Sequence, residues 1–203
     1  PDADRIGIAV RDEGGEYRLF SGNEFGVMLL HYLCAQRTAK GTMPDRPLCI
    51  RTAVTSRMVD AVARKYGVEV VEVLTGFKFI GGVILELEQR GEEGRYVFGF
   101  EESYGYLACT YVRDKDAVVA SMLICEIAAF YKRQGKNLIG VLEELYEEFG
   151  WYRHRQDNFY CEGQAGMERM QSIMKTLTAA PPAGIGGRSV IGFVDYSAGR
   201  GRR

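Results

Sequence analysis

Imidazole, paired cysteine and long apolar runs are what this sequence lacks. His31 and His154 are the only histidines in 203 residues, so a histidine-rich metal site is excluded. The five cysteines (34, 49, 109, 125 and 161) are an odd number, widely spread, with no C-x-x-C pair. That spacing fits buried thiols in a reduced, cytoplasmic protein better than a disulfide framework or a zinc site. No apolar run approaches the roughly 20 residues of a membrane span. The opening Pro1-Asp2-Ala3-Asp4-Arg5 is too charged for a signal peptide. A net charge of −1 removes the basic field that a nucleic acid or an anionic membrane surface demands, so neither is an expected partner. With 46% hydrophobic and 26% charged residues, what is present is the composition of a soluble globular protein. Its length suits one large domain or one and a half ordinary ones.

The pattern along the chain predicts an α/β protein. Two short runs, residues 6–10 and 17–20, flank Asp12-Glu13-Gly14-Gly15 and read as a hairpin. Ser21-Gly22-Asn23 then caps a helix whose apolar residues Phe25, Met28, Leu29, Tyr32 and Leu33 follow the 3.6-residue period. A loop over 40–47 leads to alternating segments: strand 48–54, a helix capped by Thr55-Ser56, strand 68–74, a helix from Thr75-Gly76 to about 90, and strand 96–100. This β-α-β-α-β order implies a mainly parallel sheet with helices on its faces, a three-layer α/β/α arrangement. A loop over 101–113 precedes helices at 116–133 and 137–149. Beyond Gly150 the pattern changes to a partial α+β segment: extended over 151–161, helical over 164–177, a breaker-rich loop over 181–187, extended over 188–196, and a disordered tail over 199–203.

Four short motifs could carry chemistry, and each has an ordinary structural reading beside it. In an extended segment Asp2 and Asp4 point to one side and could share a hard cation, with Arg5 near for a phosphate. They also read as a solvated acidic turn. Thr75-Gly76-Phe77-Lys78 sits where a strand hands over to a helix, whose free N–H groups and dipole favour an anion; an ordinary helix start reads the same way. Glu101-Glu102-Ser103-Tyr104-Gly105 follows a strand at its carboxyl end, the place where parallel sheets bind ligands. Carboxylates and Ser103 there suit sugar hydroxyls, although a polar turn has the same composition. Arg113-Asp114-Lys115-Asp116 opens a helix, with Asp114 or Asp116 as its N-cap. Arg113 and the helix dipole push the Lys115 pKa down, while the flanking aspartates push it up.

In this order and spacing the motifs resemble the phosphoglucomutase/phosphomannomutase family over roughly residues 1–150. The resemblance implies four domains around one cleft. Residues 1–20 would end a metal-loop domain, 21–150 would form the sugar-binding α/β/α domain, and 151–203 would be a linker and the start of a C-terminal domain. Asp2 and Asp4 match the second and third aspartates of an Asp-x-Asp-x-Asp-Arg magnesium loop, and Arg5 matches its arginine. Glu101 and Ser103 match the pair that grips ring hydroxyls, with Phe100 where many members have glycine. Thr75, Gly76 and Lys78 line the cleft, and Lys115 matches a general acid/base. The family's donor phosphoserine, in a Ser-His or Ser-Gly context, has no counterpart here, and neither has its Arg-x-Ser-x-Thr phosphate loop. The resemblance therefore implies part of a longer enzyme, inactive alone and too poor in ligands to hold Mg²⁺. The remaining domains of the same chain and a sugar phosphate are the implied partners. The Glu-Glu-Ser-Tyr-Gly loop resembles the glucose-specific branch; phosphomannomutase and phosphopentomutase are alternatives within the family. A non-catalytic sugar-phosphate-binding module is the alternative from another class.

Overall fold

A computed structural model describes residues 2–154, 158–196 and the backbone of 200–202. They fall into two compact units, one ending at His154 and the other beginning at residue 155. In the first, β1 (Ala9–Arg11) and β2 (Tyr17–Leu19) form the expected antiparallel hairpin. Helix α1 (Gly22–Ala39) starts at a complete capping box: the Ser21 hydroxyl accepts the Glu24 N–H, and the Glu24 carboxylate accepts the Ser21 N–H. Then follow β3 (Leu48–Thr52), α2 (Met58–Lys65), β4 (Glu69–Val73), α3 (Phe77–Gln89) and β5 (Tyr96–Glu101). The unit closes with β6 (Gly105–Leu107), α4 (Ala117–Lys132) and α5 (Leu138–Phe149).

The sheet runs β4-β3-β5-β6, with β4, β3 and β5 parallel and β6 antiparallel to β5. One face packs on α3 through Phe77, Ile80, Ile84 and Leu87, against Leu48, Ile50, Tyr96 and Leu107. The other face carries the larger core, built with α1, α2, α4 and α5. The first unit is thus the three-layer α/β/α sandwich that the alternation predicts. A bulge marks β5: Leu48 pairs with Tyr96 but Cys49 with Phe98, leaving Val97 over. Tyr96 consequently joins the α3 face while Val97 and Phe98 both enter the larger core. Helix α1 lies so close to β5 that a Cβ at Gly26 would stand 2.1 Å from the Phe100 ring.

Several expectations need correction. The segment 101–113 is not simply a loop: Glu101 still belongs to β5, and residues 105–107 turn back as β6. Residues 151–154 and 158–161 form no strand, and 155–157 lie outside the described residues. In the second unit α6 (Gly163–Ala179) occupies the expected helical segment. Within the breaker-rich stretch β7 (Gly184–Ile185) pairs with β8 (Arg188–Ser189) across Gly186 and Gly187. Both glycines have positive φ, the backbone of a two-residue type I′ turn. The described tail is a strand rather than disordered, because β10 (Arg200–Arg202) pairs antiparallel with β9 (Phe193–Asp195); 199 and 203 lie outside the described residues. All five cysteines are free thiols, and burial pushes Cys34 up to about 12. Among the described residues no helix is long and apolar enough to cross a membrane.

Candidate functional site

Three loops meet beyond the carboxyl ends of the parallel strands: 53–57 after β3, 74–76 after β4, and 102–104 after β5. The last is a three-residue connection closed by the Glu101–Gly105 pair. It ends on Tyr104 at φ +69, the left-handed position this hairpin class needs and glycine usually fills. A non-glycine residue there costs on the order of 1 kcal/mol.

Glu101 is buried, with 4% of its surface exposed. Its Oε1 accepts the Gly76 N–H at 2.9 Å. Gly76 is the N-cap of α3 at φ +121, a backbone only glycine tolerates easily, and no side chain caps that helix. The α3 N-terminus is therefore held by Glu101 at one N–H and carries no acidic residue in its first turn. Burial raises the Glu101 pKa; the Gly76 N–H and the Lys115 charge oppose that rise, and Glu102 adds to it.

Lys115 reaches the same place. A Cβ at Gly105 would stand 2.4 Å from the Lys115 stem and 3.5 Å from Glu101 Oε2, so glycine leaves the lysine room to lie across the strand. Its ammonium pairs with Asp114 at 2.6 Å and Asp4 at 3.3 Å and sits 5.2 Å from the Phe77 ring centroid. Burial lowers this pKa, but the hydrogen bond and charge of Asp114, with Asp4 behind it, more than offset that, and the net shift is upward. Of the two opposed effects read from the sequence, the aspartates win. Asp116, not Asp114, is the N-cap of α4, accepting the Val118 and Val119 N–H groups.

The arm before β1 brings Asp4 and Arg5 here. Arg5 bridges to Gly105, the Ile6 N–H donates to the Tyr104 carbonyl at 3.3 Å, and the Ala117 N–H donates to the Ala3 carbonyl at 3.2 Å. The arm is not extended throughout, because Ala3 has φ +50. The same-side argument for Asp2 and Asp4 therefore does not hold, and Asp4 is engaged by Lys115. Among the described residues no group of three metal-type side chains converges. The structure thus unites Glu101, Gly76, Lys115 and Asp4, with Arg5 close enough to act on Glu101 through its charge. Asp2 and Thr75 are exposed, and Ser103 is half-buried in its turn. Lys78 is exposed on the first turn of α3 with its ammonium over Phe79.

Sequence reasoning named Asp114, Phe77 and Thr55 but missed the contact of the Phe77 ring with Lys115 and the hydroxyls of Thr52 and Thr55 against Glu102. Both contacts depend on tertiary packing and leave no signal in the sequence.

A family model described as phosphoglucomutase/phosphomannomutase, alpha/beta/alpha domain III, matches residues 21–149. The chain belongs to the phosphoglucomutase/phosphomannomutase family. Curated relatives of this family named phosphoglucomutase, from Staphylococcus aureus strains MRSA252 and MSSA476, are 39% identical over 196 residues, which is 97% of this chain. The chain spans about a third, 34%, of the length of those relatives. Among solved structures, one assigned to a phosphomannomutase from Thermus thermophilus shares 26% identity, with a TM-score of 0.54. It covers 73% of this chain and 29% of that one. The open form of pp63/parafusin, a phosphoglucomutase from Paramecium, shares the fold at TM-score 0.58 and 22% identity, over 100% of this chain and 33% of its own.

Proposed function

We propose that this chain is the sugar-reading portion of a phosphohexomutase that interconverts glucose 1-phosphate and glucose 6-phosphate through a phosphoserine and a bisphosphate intermediate. The observation that carries the reading is the meeting of Glu101, Gly76 and Lys115 at the carboxyl end of the sheet. The phosphoglucomutase names of the curated relatives favour glucose. In this reading residues 1–20 end a metal-loop domain, 21–150 form the sugar-binding domain, and 151–203 lead into a C-terminal domain.

Glu101 receives the sugar. Its Oε1 is occupied by Gly76, which leaves Oε2 for ring hydroxyls, and Ser103 supplies a second contact. Each charge-assisted hydrogen bond of this kind contributes roughly 1.5–3 kcal/mol. Phosphate lies at the uncapped α3 N-terminus with Thr75, Gly76, Lys78 and Arg5 around it. Lys115, whose ammonium Asp114 and Asp4 hold in place beside Glu101, is the proton donor in this reading, giving its proton to the sugar oxygen that loses its phosphoryl group.

Asp2 and Asp4 are hard oxygen donors of the kind magnesium takes, and they supply two of its ligands in the longer protein. Magnesium, when bound, neutralises charge on the transferring phosphoryl group. Two carboxylates, one shared with Lys115, fall short of the octahedral set this ion demands, so the 203-residue chain alone holds it weakly and turns over no substrate.

The test is Glu101→Gln in the full-length enzyme. Catalytic efficiency should fall about ten- to a hundredfold, with magnesium binding and serine phosphorylation unchanged. An efficiency within about twofold of wild type would remove Glu101 from the substrate site.

A further inference from the structure

Two glutamates stand side by side at the end of β5, and the fold sends them in different directions. Glu101 meets Gly76 and Lys115, whereas Glu102 turns to the end of β3. There its Oε2 lies 3.1 Å from Thr52 Oγ1 and 3.4 Å from Thr55 Oγ1. Both threonines are buried, and their hydroxyls stand 2.8 Å apart. The hydrogens fit one relay: Thr55 donates to Thr52, and Thr52 donates to the carboxylate. The turn between the glutamates and Gly105 is pressed from other sides too. A Cβ at Gly22 would stand 2.0 Å from the Glu102 carbonyl oxygen, so α1 begins directly against the turn. The buried Asn23 ties that helix start to the threonine loop by accepting the Ser56 N–H at 2.8 Å.

We infer that Glu102 is a positioning residue: anchored by Thr52 and Thr55, its carboxylate holds the 102–104 turn in the one shape that aims Glu101 and Ser103 at the sugar. The inference rests on the sugar-reading role proposed for Glu101. The anchor is needed because the turn does not hold itself. Tyr104 carries a backbone penalty that a free loop would relax by flipping. Relaxing it would withdraw Ser103 and loosen the Glu101–Gly105 pair.

The experiment uses the full-length enzyme and three variants: Glu102→Gln, Glu102→Ala, and the near-isosteric double variant T52V/T55V. A glutamine carbonyl can still accept from the relay, so Glu102→Gln should keep efficiency within about threefold. Glu102→Ala and T52V/T55V should each raise KM by about tenfold or more, with kcat changed less. Both should also lose amide-exchange protection over residues 103–107, a readout that needs no turnover. If Glu102→Gln costs as much as Glu102→Ala while T52V/T55V is silent, Glu102 touches the sugar itself and the inference is wrong. Unchanged KM in all three variants, at equal folded fraction, also overturns it. Should the full-length protein have no mutase activity, the functional reading fails by itself, and the exchange data still decide whether the threonines hold the turn.

Discussion

Helices α5 and α6 carry the same kind of apolar period and meet opposite fates. In α5, Leu138, Val141, Leu142 and Leu145 are at most 5% exposed, packed into the larger core. In α6, Met167, Met170, Met174 and Leu177 recur at comparable spacing, are 40–59% exposed, and the helix buries no side chain. Periodicity announces that a helix has an apolar face; it does not say what will cover it. The unit up to His154 supplies its own cover, with a sheet, five helices and two apolar clusters. The described part of the second unit has one helix and two pairs of short strands.

The largest expected effect breaks the comparison outright. Residues 1–154 expressed alone should unfold in one cooperative thermal transition by circular dichroism, and residues 155–203 alone should show none. A cooperative transition in the shorter piece would mean that α6 finds its cover locally.

Next in size is Arg51→Ala. Arg51 is buried in the middle of the sheet, clasps Asp60 through two nitrogens at 2.9 and 3.0 Å, and meets Glu72 at 2.8 Å. Breaking such a pair costs about 3–5 kcal/mol when both partners are deeply buried. Here Asp60 and Glu72 are partly exposed and keep Arg57, so about 2–3 kcal/mol is expected from denaturant midpoints. A loss below about 1 kcal/mol would show that the network is solvated.

His31 should give a smaller, pH-dependent effect. Its Nδ1 is buried with no hydrogen-bond partner in the described structure, and its ring stands edge-on to Tyr66 and Phe149. Burial lowers its pKa below the ordinary 6.5, Lys65 adds to this, and Glu148 opposes it. The folded form resists protonation, so the unfolded chain takes up protons first. Stability is full above the ordinary value and declines as pH falls through and below it. The melting temperature of His31→Leu should therefore fall less than that of wild type between about pH 7 and pH 5. Parallel curves would exclude the histidine as the cause.

The smallest effect is expected at Met170→Ala, which should move the unfolding of the first unit by no more than about 0.5 kcal/mol.

Much of the fold was legible because its signals are local. The Ser21 helix cap, the β-branched strand runs and the glycines after helices each act within a few residues. What stayed hidden depends on distance. Strand β6 is three residues long, too short for any period to show, and exists because β5 and the arm flank it. The β5 bulge is invisible because Val97 and Phe98 are both apolar. Glu101 and Lys115 were readable from their places beside strand and helix ends. The upward push of Asp114 on Lys115 was readable too, but the second partner was not, since Asp4 arrives from more than a hundred positions away. Arg51 was passed over as part of an apolar strand, because its two acids belong to α2 and β4.

The N-terminal arm has one more consequence. An open sheet has two margins, and unpaired backbone there invites another chain to add a strand. On the β4 side the margin is blunted by charge, with exposed Glu69 and Glu72 on a strand that among the described residues pairs with β3 alone. On the β6 side there is no such charge in Gly105-Tyr106-Leu107, and the arm lies there instead. The segment that carries Asp4 and Arg5 to the lysine therefore also covers the β6 margin of the sheet. Loosening it to admit a large ligand should free the Tyr104 carbonyl on that margin and leave the Tyr106 carbonyl held by the Asp116 N–H.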